Sequence, residues 1–404
     1  MATIALFHAP FQSHLRLAGR LSQVLADRGH RVIAWSPPER GELLRHSGAQ
    51  LREDPCSAQV WETLRAIGRP PGSRGAELAT RVALEEATAS GFADLVGELL
   101  ADGVELVIHD AMAPWGALAA RWIALPTVSS VVAHTLAPPR EPERADPDPD
   151  PSANADPELD GRLRRARAVT RSAWAMAAAS GRPFAGPYGD RTVLYTSPEL
   201  TGALITHPSR RFVGPLEPGD EATGRLEEPA LAGLGGRPLV LMALGTLMTD
   251  RAELLRAALE GLAEEPVELL LATGERFSPA GLENVPANAR VLARVEQTAV
   301  LRRASVFITH AGINSVLEAL LAGVPMLCAP GAGDQLAGAD RVVELGAGRM
   351  LGAERAKALR DGVRALLADP APRARAASVG AGLRATGGRE YAVQVVEELL
   401  DGDG

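Results

Sequence analysis

The sequence predicts an α/β fold of two Rossmann-like, doubly wound parallel-sheet domains that face each other across a cleft, and three observations carry that prediction. The chain opens strand, helix, strand: an apolar run at Thr3 to Phe7, a helical pattern in Leu17, Leu21, Val24 and Leu25 ending at Gly29, and a second apolar run from Arg31 to Ala34. The same rhythm recurs at Val104 to His109, Pro114 to Trp122 and Thr127 to Val132. It then restarts in the second half, after a segment loosened by Gly, Pro and Glu at Gly214 to Arg237. Two such sheets in tandem leave a crevice at their strand carboxyl ends, where open α/β sheets bind ligands.

The elements follow in order. Residues 1–213 form the amino-terminal domain, interrupted at Pro138 to Asp160 by a Pro- and Asp-rich stretch that suits neither ladder nor helix and reads as a solvated loop. Residues 214–237 are the interdomain linker, and residues 238–404 the carboxyl-terminal domain, whose last helix is positioned to pack back on the first. In that second half Leu239 to Ala243, Val267 to Ala272, Ala289 to Leu292, Ser305 to Ile308 and Pro325 to Ala329 read as strands. Glu253 to Ala263, Ser315 to Ala322, Leu336 to Leu345 and Glu354 to Leu366 read as helices.

Composition narrows the chemistry. The 404 residues are 46% hydrophobic and 23% charged, with 42 basic against 50 acidic side chains for a net charge of −8. No run of five or more Lys or Arg occurs, so nucleic acid is not an expected partner. Lys357 is the one lysine and sits between two alanines, which excludes a Walker A loop and leaves no good candidate for a pyridoxal-phosphate or kinase lysine. The two cysteines, Cys56 and Cys328, lie far apart, as expected of buried thiols in a reducing compartment. With no apolar run of about 20 residues, no integral membrane segment is expected, and Met1 to His8 reads as a first strand instead of a signal peptide. The expected location is the cytoplasm.

The richest stretch is Thr309-His-Ala-Gly-Ile-Asn-Ser-Val-Leu-Glu, which leaves a strand, turns through Gly312 and enters a helix capped by Asn314 or Ser315. Free backbone N–H groups and the positive helix end make an anion site there, and His310 adds a donor or a charge; the plain alternative is an ordinary Gly turn with an N-cap. In the amino half, His14 follows the first strand and Asp110 a later parallel one, so both stand at the sheet's carboxyl edge, although a lone His there also serves as a capping or packing residue.

The stretch from Thr309 through Gly323-Val-Pro, Pro330, Asp334-Gln335 and Arg341-Val resembles the donor signature of the family 1 glycosyltransferases, the UDP-glycosyltransferase-like enzymes of GT-B fold, in the manner of bacterial macrolide and other antibiotic-modifying members. Pro10-Phe-Gln-Ser-His14 and Arg28-Gly-His-Arg-Val resemble the family's acceptor-domain pattern, so the resemblance covers nearly the whole chain. It implies that His310, Gly312, Asn314 and Ser315 hold the diphosphate, that Glu318 binds ribose hydroxyls, and that Asp334 and Gln335 bind the sugar. It further implies that Leu244-Gly245-Thr246 turns near the phosphates, that Gln297 lies beside the base, and that His14 is the catalytic base oriented by Asp110. Ser13, Arg16, Leu17, Arg294, Glu296 and Gly338 depart from the family pattern.

The implied activity is that of an inverting, metal-independent hexosyltransferase. It would move a hexose or deoxyhexose from a UDP- or dTDP-sugar to a hydroxyl of a small hydrophobic natural product, with the nucleotide sugar as co-substrate and no cofactor. Its expected partners are these two small molecules, in a monomer or homodimer. A sugar-nucleotide epimerase and a noncatalytic nucleotide-sugar-binding auxiliary protein are the alternatives. The remaining histidines are expected to be structural: His30 and His46 in surface segments, His207 in a loop, His134 at a strand end, and His109 on the strand face opposite Asp110.

Overall fold

The computed structural model describes residues 1–66, 74–131, 156–178, 189–201, 207–216, 228–245, 251–274, 282, 284–331 and 334–402. The first sheet is built from β1 (Thr3–Phe7), β2 (Arg31–Ser36), β3 (Gln50–Glu53), β4 (Leu106–Asp110), β5 (Thr127–Val131), β6 (Arg191–Leu194) and β7 (Arg210–Phe212). Its order is β3-β2-β1-β4-β5-β6-β7, with every neighbouring pair parallel. The second sheet takes β8 (Leu239–Ala243), β9 (Glu268–Ala272), β10 (Ala289–Leu292), β11 (Ala304–Thr309), β12 (Met326–Cys328) and β13 (Gly348–Met350) in the order β10-β9-β8-β11-β12-β13, again all parallel. Strand order therefore reverses between β1 and β4 in one sheet and between β8 and β11 in the other. These switch points open a crevice at the strand carboxyl ends.

Helices cover both faces of each sheet. The amino half carries α1 (Gln12–Asp27), α2 (Pro55–Ala66), α3 (Arg74–Ala101), α4 (Pro114–Trp122), α5 (Pro157–Ala178) and the single turn α6 (Pro198–Thr201). The carboxyl half carries α7 (Ala252–Leu262), α8 (Gln297–Leu301), α9 (Ile313–Leu321), α10 (Asp334–Glu344), α11 (Ala356–Ala368), α12 (Ala371–Arg384) and α13 (Gly388–Leu400). Helix α1 shows why such segments are helical: Leu15, Ala18, Leu21, Val24 and Leu25 recur on one face and are buried against Ile4, Leu6 and Ile108. Gly29, at φ +87°, then turns the chain into β2. Phe7, Trp35 and Trp115 fill the opposite face, where Phe7 stacks on Trp35 with ring centroids 4.8 Å apart.

The two halves exchange elements. Ala392, Val393, Val395 and Val396 of α13 lie in the core beside α1 and β1. Conversely Leu200, on α6 just after β6, is fully buried among Phe307, Val316 and Leu383 of the second half. The return of α13 corrects the reading of His30 as a surface residue: its side chain is 7% exposed and Nε2 meets Glu397 Oε1 at 3.3 Å. His46 is exposed as expected.

The ends of the linker segment are packed, with Leu216 buried in the amino-terminal core and Ala230 in the carboxyl-terminal one, whereas its middle, residues 217–227, lies outside the described residues. Most of the Pro- and Asp-rich loop and His134 also lie outside them. Strands β3, β6, β7 and β13 and the long helices α3 and α5 had no clear periodic signal; all four residues of β3 are exposed, so it carries no apolar alternation to read. Among the described residues no helix is long and apolar enough to cross a membrane.

Candidate active site

Both switch points carry the polar residues singled out in the sequence. His14 stands in the first turn of α1 and Asp110 is the last residue of β4, on the strand flanking β1. His14 Nδ1 donates a short hydrogen bond to Asp110 Oδ2. The carboxylate is held from elsewhere too: Oδ1 accepts from Met112 N at 2.8 Å and Oδ2 from Ala9 N at 3.4 Å. With 12% and 6% of their side chains exposed, His14 and Asp110 are nearly dry. Burial alone opposes a charge on His14, but the field and hydrogen bond of Asp110, assisted by Asp334, outweigh it and raise the imidazole pKa. Burial likewise opposes ionisation of Asp110, and His14 with the two backbone donors overcomes it and lowers that pKa. Since Nδ1 is engaged, Nε2 is the ring nitrogen left to take a proton.

His109 shares the face of Phe7, fully buried and opposite to Asp110, and burial pushes its pKa down to about 4. His8 is buried as well, with the same cause and a pKa of about 4, so both rings are neutral. Sequence reading missed a further pair near the dyad. Ser130, in register with Asp110, donates from Oγ to the hydroxyl of buried Tyr195 at 3.1 Å. Only the pairing of β4 with β5 brings Ser130 there, so no local sequence signal marks it.

In the second half, β8 runs through Leu244 into the turn at Gly245, β11 runs into His310, and the two loops meet. A Cβ on Gly245 would lie 2.8 Å from His310 Cε1 and Nε2, and one on Gly312 would lie 2.5 Å from Nε2. Gly245 also needs its positive φ of +79°, which other residues adopt at a cost. The imidazole is therefore nested against two glycine backbones. Ala311, between His310 and Gly312, is held at φ +61°, and strain of this kind in a non-glycine residue clusters at functional turns.

Here the expected cap is corrected. Gly312, extended at φ −64° and ψ 147°, is the N-cap of α9, with no side-chain cap; Asn314 and Ser315 fall inside the first turn. An extended glycine occupies the capping position, so the amides that follow stay open to a ligand. Glu318 sits in the second turn of α9, past the open amides of the helix start. Gln297 Nε2 donates to Glu318 Oε2 at 2.7 Å and to Ser315 Oγ at 3.3 Å. Burial dominates Glu318 and raises its pKa, against Gln297, Arg20 and Arg16. Asp334 opens α10, and Gln335 Oε1 accepts from Gly331 N at 2.9 Å. Thr246 lies outside the described residues.

The influence of Asp334 on His14, and of Arg16 and Arg20 on Glu318, shows that the carboxyl edges of the two sheets face one another. Residues 207–374 match the family model for UDP-glucoronosyl and UDP-glucosyl transferases. A crystal structure of the glycosyltransferase of kitacinnamycin superposes with a TM-score of 0.81 at 25% identity, covering 98% of each chain. The chain has the GT-B fold, and residues 207–374 of it are similar to the UDP-glycosyltransferase family. The resemblance read from the sequence is thereby borne out. Oleandomycin glycosyltransferase of Streptomyces antibioticus is 29% identical over 99% of this chain and 91% of its own. The NDP-glycosyltransferase YjiC of Bacillus licheniformis is 34% identical over 41% of this chain, which spans only 42% of that protein's length.

Proposed function

We propose that this GT-B protein is an inverting glycosyltransferase that moves a hexose or deoxyhexose from a UDP- or dTDP-sugar to a hydroxyl group of a small hydrophobic natural product. The observation that carries the reading is the buried His14–Asp110 pair at one switch point, within electrostatic reach of Asp334 at the other, where Glu318 in turn feels Arg16 and Arg20 of the first half. His14 Nε2 takes the proton of the acceptor hydroxyl as its oxygen attacks the anomeric carbon. The bond from that carbon to the diphosphate oxygen breaks on the opposite face, and the electron pair leaves with the diphosphate. Asp110 fixes the imidazole tautomer and stabilises the imidazolium as it forms. His310 and the open amides of α9 meet the charge growing on the leaving group. Glu318 receives ribose hydroxyls beside Gln297, and Asp334 with Gln335 reads the sugar. The similarity to oleandomycin glycosyltransferase supports a natural-product acceptor.

The charge on the departing diphosphate has protein partners in this scheme, so the mechanism calls for no divalent cation. A mass-spectrometric screen of UDP- and dTDP-hexoses and deoxyhexoses against a library of hydrophobic aglycones, with and without excess EDTA, tests both statements. The expected product is a β-configured glycoside when an α-linked donor is used, formed equally with chelator present. Sugar isomerisation without an acceptor points to an epimerase, binding without turnover to an auxiliary protein, and loss of transfer in EDTA with rescue by Mg²⁺ overturns the metal-free scheme.

A further inference from the structure

A cation outside the roles above stands at the carboxyl edge of the second sheet. Arg251 immediately precedes α7, and only 12% of its side chain is exposed. Nη1 donates to the carbonyl of Ala329 and Nη2 pairs with Glu354. Ala329 N in turn donates to the Thr309 carbonyl at 2.7 Å, and Thr309 is in register with Cys328. Ala329 is thus the neighbour of His310 across the sheet, and the guanidinium is tied to the tip of the strand that flanks the His310 turn. These two contacts use two of the five guanidinium donors, and an arginine keeps its charge at every working pH.

The charge balance of that edge gives Arg251 a task. Glu318 and Asp334 are both acidic, whereas a nucleoside diphosphate arrives as an anion and gains charge as the glycosidic bond breaks. The positive groups described so far are the amides of α9 and, beside Glu318, Arg16 and Arg20 of the first half. We infer, resting on the donor-site reading above, that Arg251 binds the diphosphate of the nucleotide sugar and stabilises it as a leaving group. The half-exposed Glu354 holds the guanidinium in place from the solvent side. The Ala329 carbonyl orients it, so the side chain is fixed before the ligand arrives.

Calorimetric titration with UDP and dTDP, and separately with uridine and thymidine, tests this. Arg251→Ala should weaken diphosphate binding by about 10- to 100-fold, the usual effect of a charge-assisted hydrogen bond, while the nucleoside affinity stays within about twofold. Its kcat with a nucleotide sugar should fall as well. Arg251→Gln keeps a donor for Ala329 without the charge and should show the same selective loss, which covers the case in which the alanine variant fails to fold; Arg251→Lys should recover part of it. If both neutral variants bind diphosphate as tightly as wild type, or lose nucleoside and diphosphate affinity in proportion, Arg251 is structural and the inference is wrong. If the wild-type protein binds neither nucleoside nor diphosphate, the donor-site reading itself falls.

Discussion

His14 is held between two opposing forces, and which one wins decides the pH at which the protein works. Burial disfavours the imidazolium, yet the adjacent carboxylate of Asp110 wins and the pKa rises above the ordinary imidazole value. A base acts only when neutral, so kcat/KM should climb with pH through that raised pKa. Asp110→Asn removes the carboxylate, so the acid limb should move to lower pH while the rate falls through loss of the tautomer and of imidazolium stabilisation. His14→Ala should lower kcat by about 10²- to 10⁴-fold with nucleotide affinity kept. Rates within about threefold of wild type for His14→Ala, or an unmoved acid limb for Asp110→Asn, would count against the pair. The same shifts act on stability. The raised His14 contributes fully below its unfolded pKa and loses this as pH rises through the folded one; the lowered Asp110 contributes above its unfolded pKa and loses this on acidification.

At the scale of elements, the decisive unit is the turn from β11 into α9, where strain at Ala311 and bare backbone at Gly312 set the position of His310. Gly312 has a φ that alanine adopts readily, so Gly312→Ala should fold with a melting temperature within a few degrees of wild type. Its methyl group would lie 2.5 Å from His310 Nε2, and the ring must move. Nucleoside diphosphate affinity should therefore drop by about tenfold, read by calorimetry beside a thermal melt. Unchanged affinity in a normally folded variant would remove His310 from the diphosphate site. The glycines of this turn were legible because their residue types and order are themselves the signal. The cap was not, since Asn314, Ser315 and Gly312 are all good capping residues and only backbone geometry chooses among them.

At the scale of the molecule, each half borrows an element from the other. Leu200 sits in the carboxyl-terminal core while Arg341 Nε donates to its carbonyl at 3.0 Å, and Arg375 pairs with Glu199 at 2.7 Å. Leu200→Ala opens a cavity in that core and should cost about 2–5 kcal/mol. Because the residue joins the two halves, denaturant unfolding followed by two probes should separate into two transitions in the variant. A single transition at the wild-type midpoint would show that α6 is only a surface turn. The solvent-exposed ion pairs along the same seam, such as Arg28 with Glu390, contribute far less individually.

The sequence by itself determined the alternation of strand and helix, the parallel sense of both sheets and the placing of His14, Asp110 and His310 at strand carboxyl ends and of Glu318 on the helix that follows. Those features follow from local periodicity, turn residues and short motifs, all of which are properties of neighbouring residues. Tertiary structure alone decided the rest. It brought Ser130 and Tyr195 beside the dyad, tied Arg251 to the strand that flanks His310, buried His30 under α13 and drew Leu200 into the opposite half. Each of these joins residues far apart in the chain, and strand order, which no local pattern encodes, is what sets them side by side.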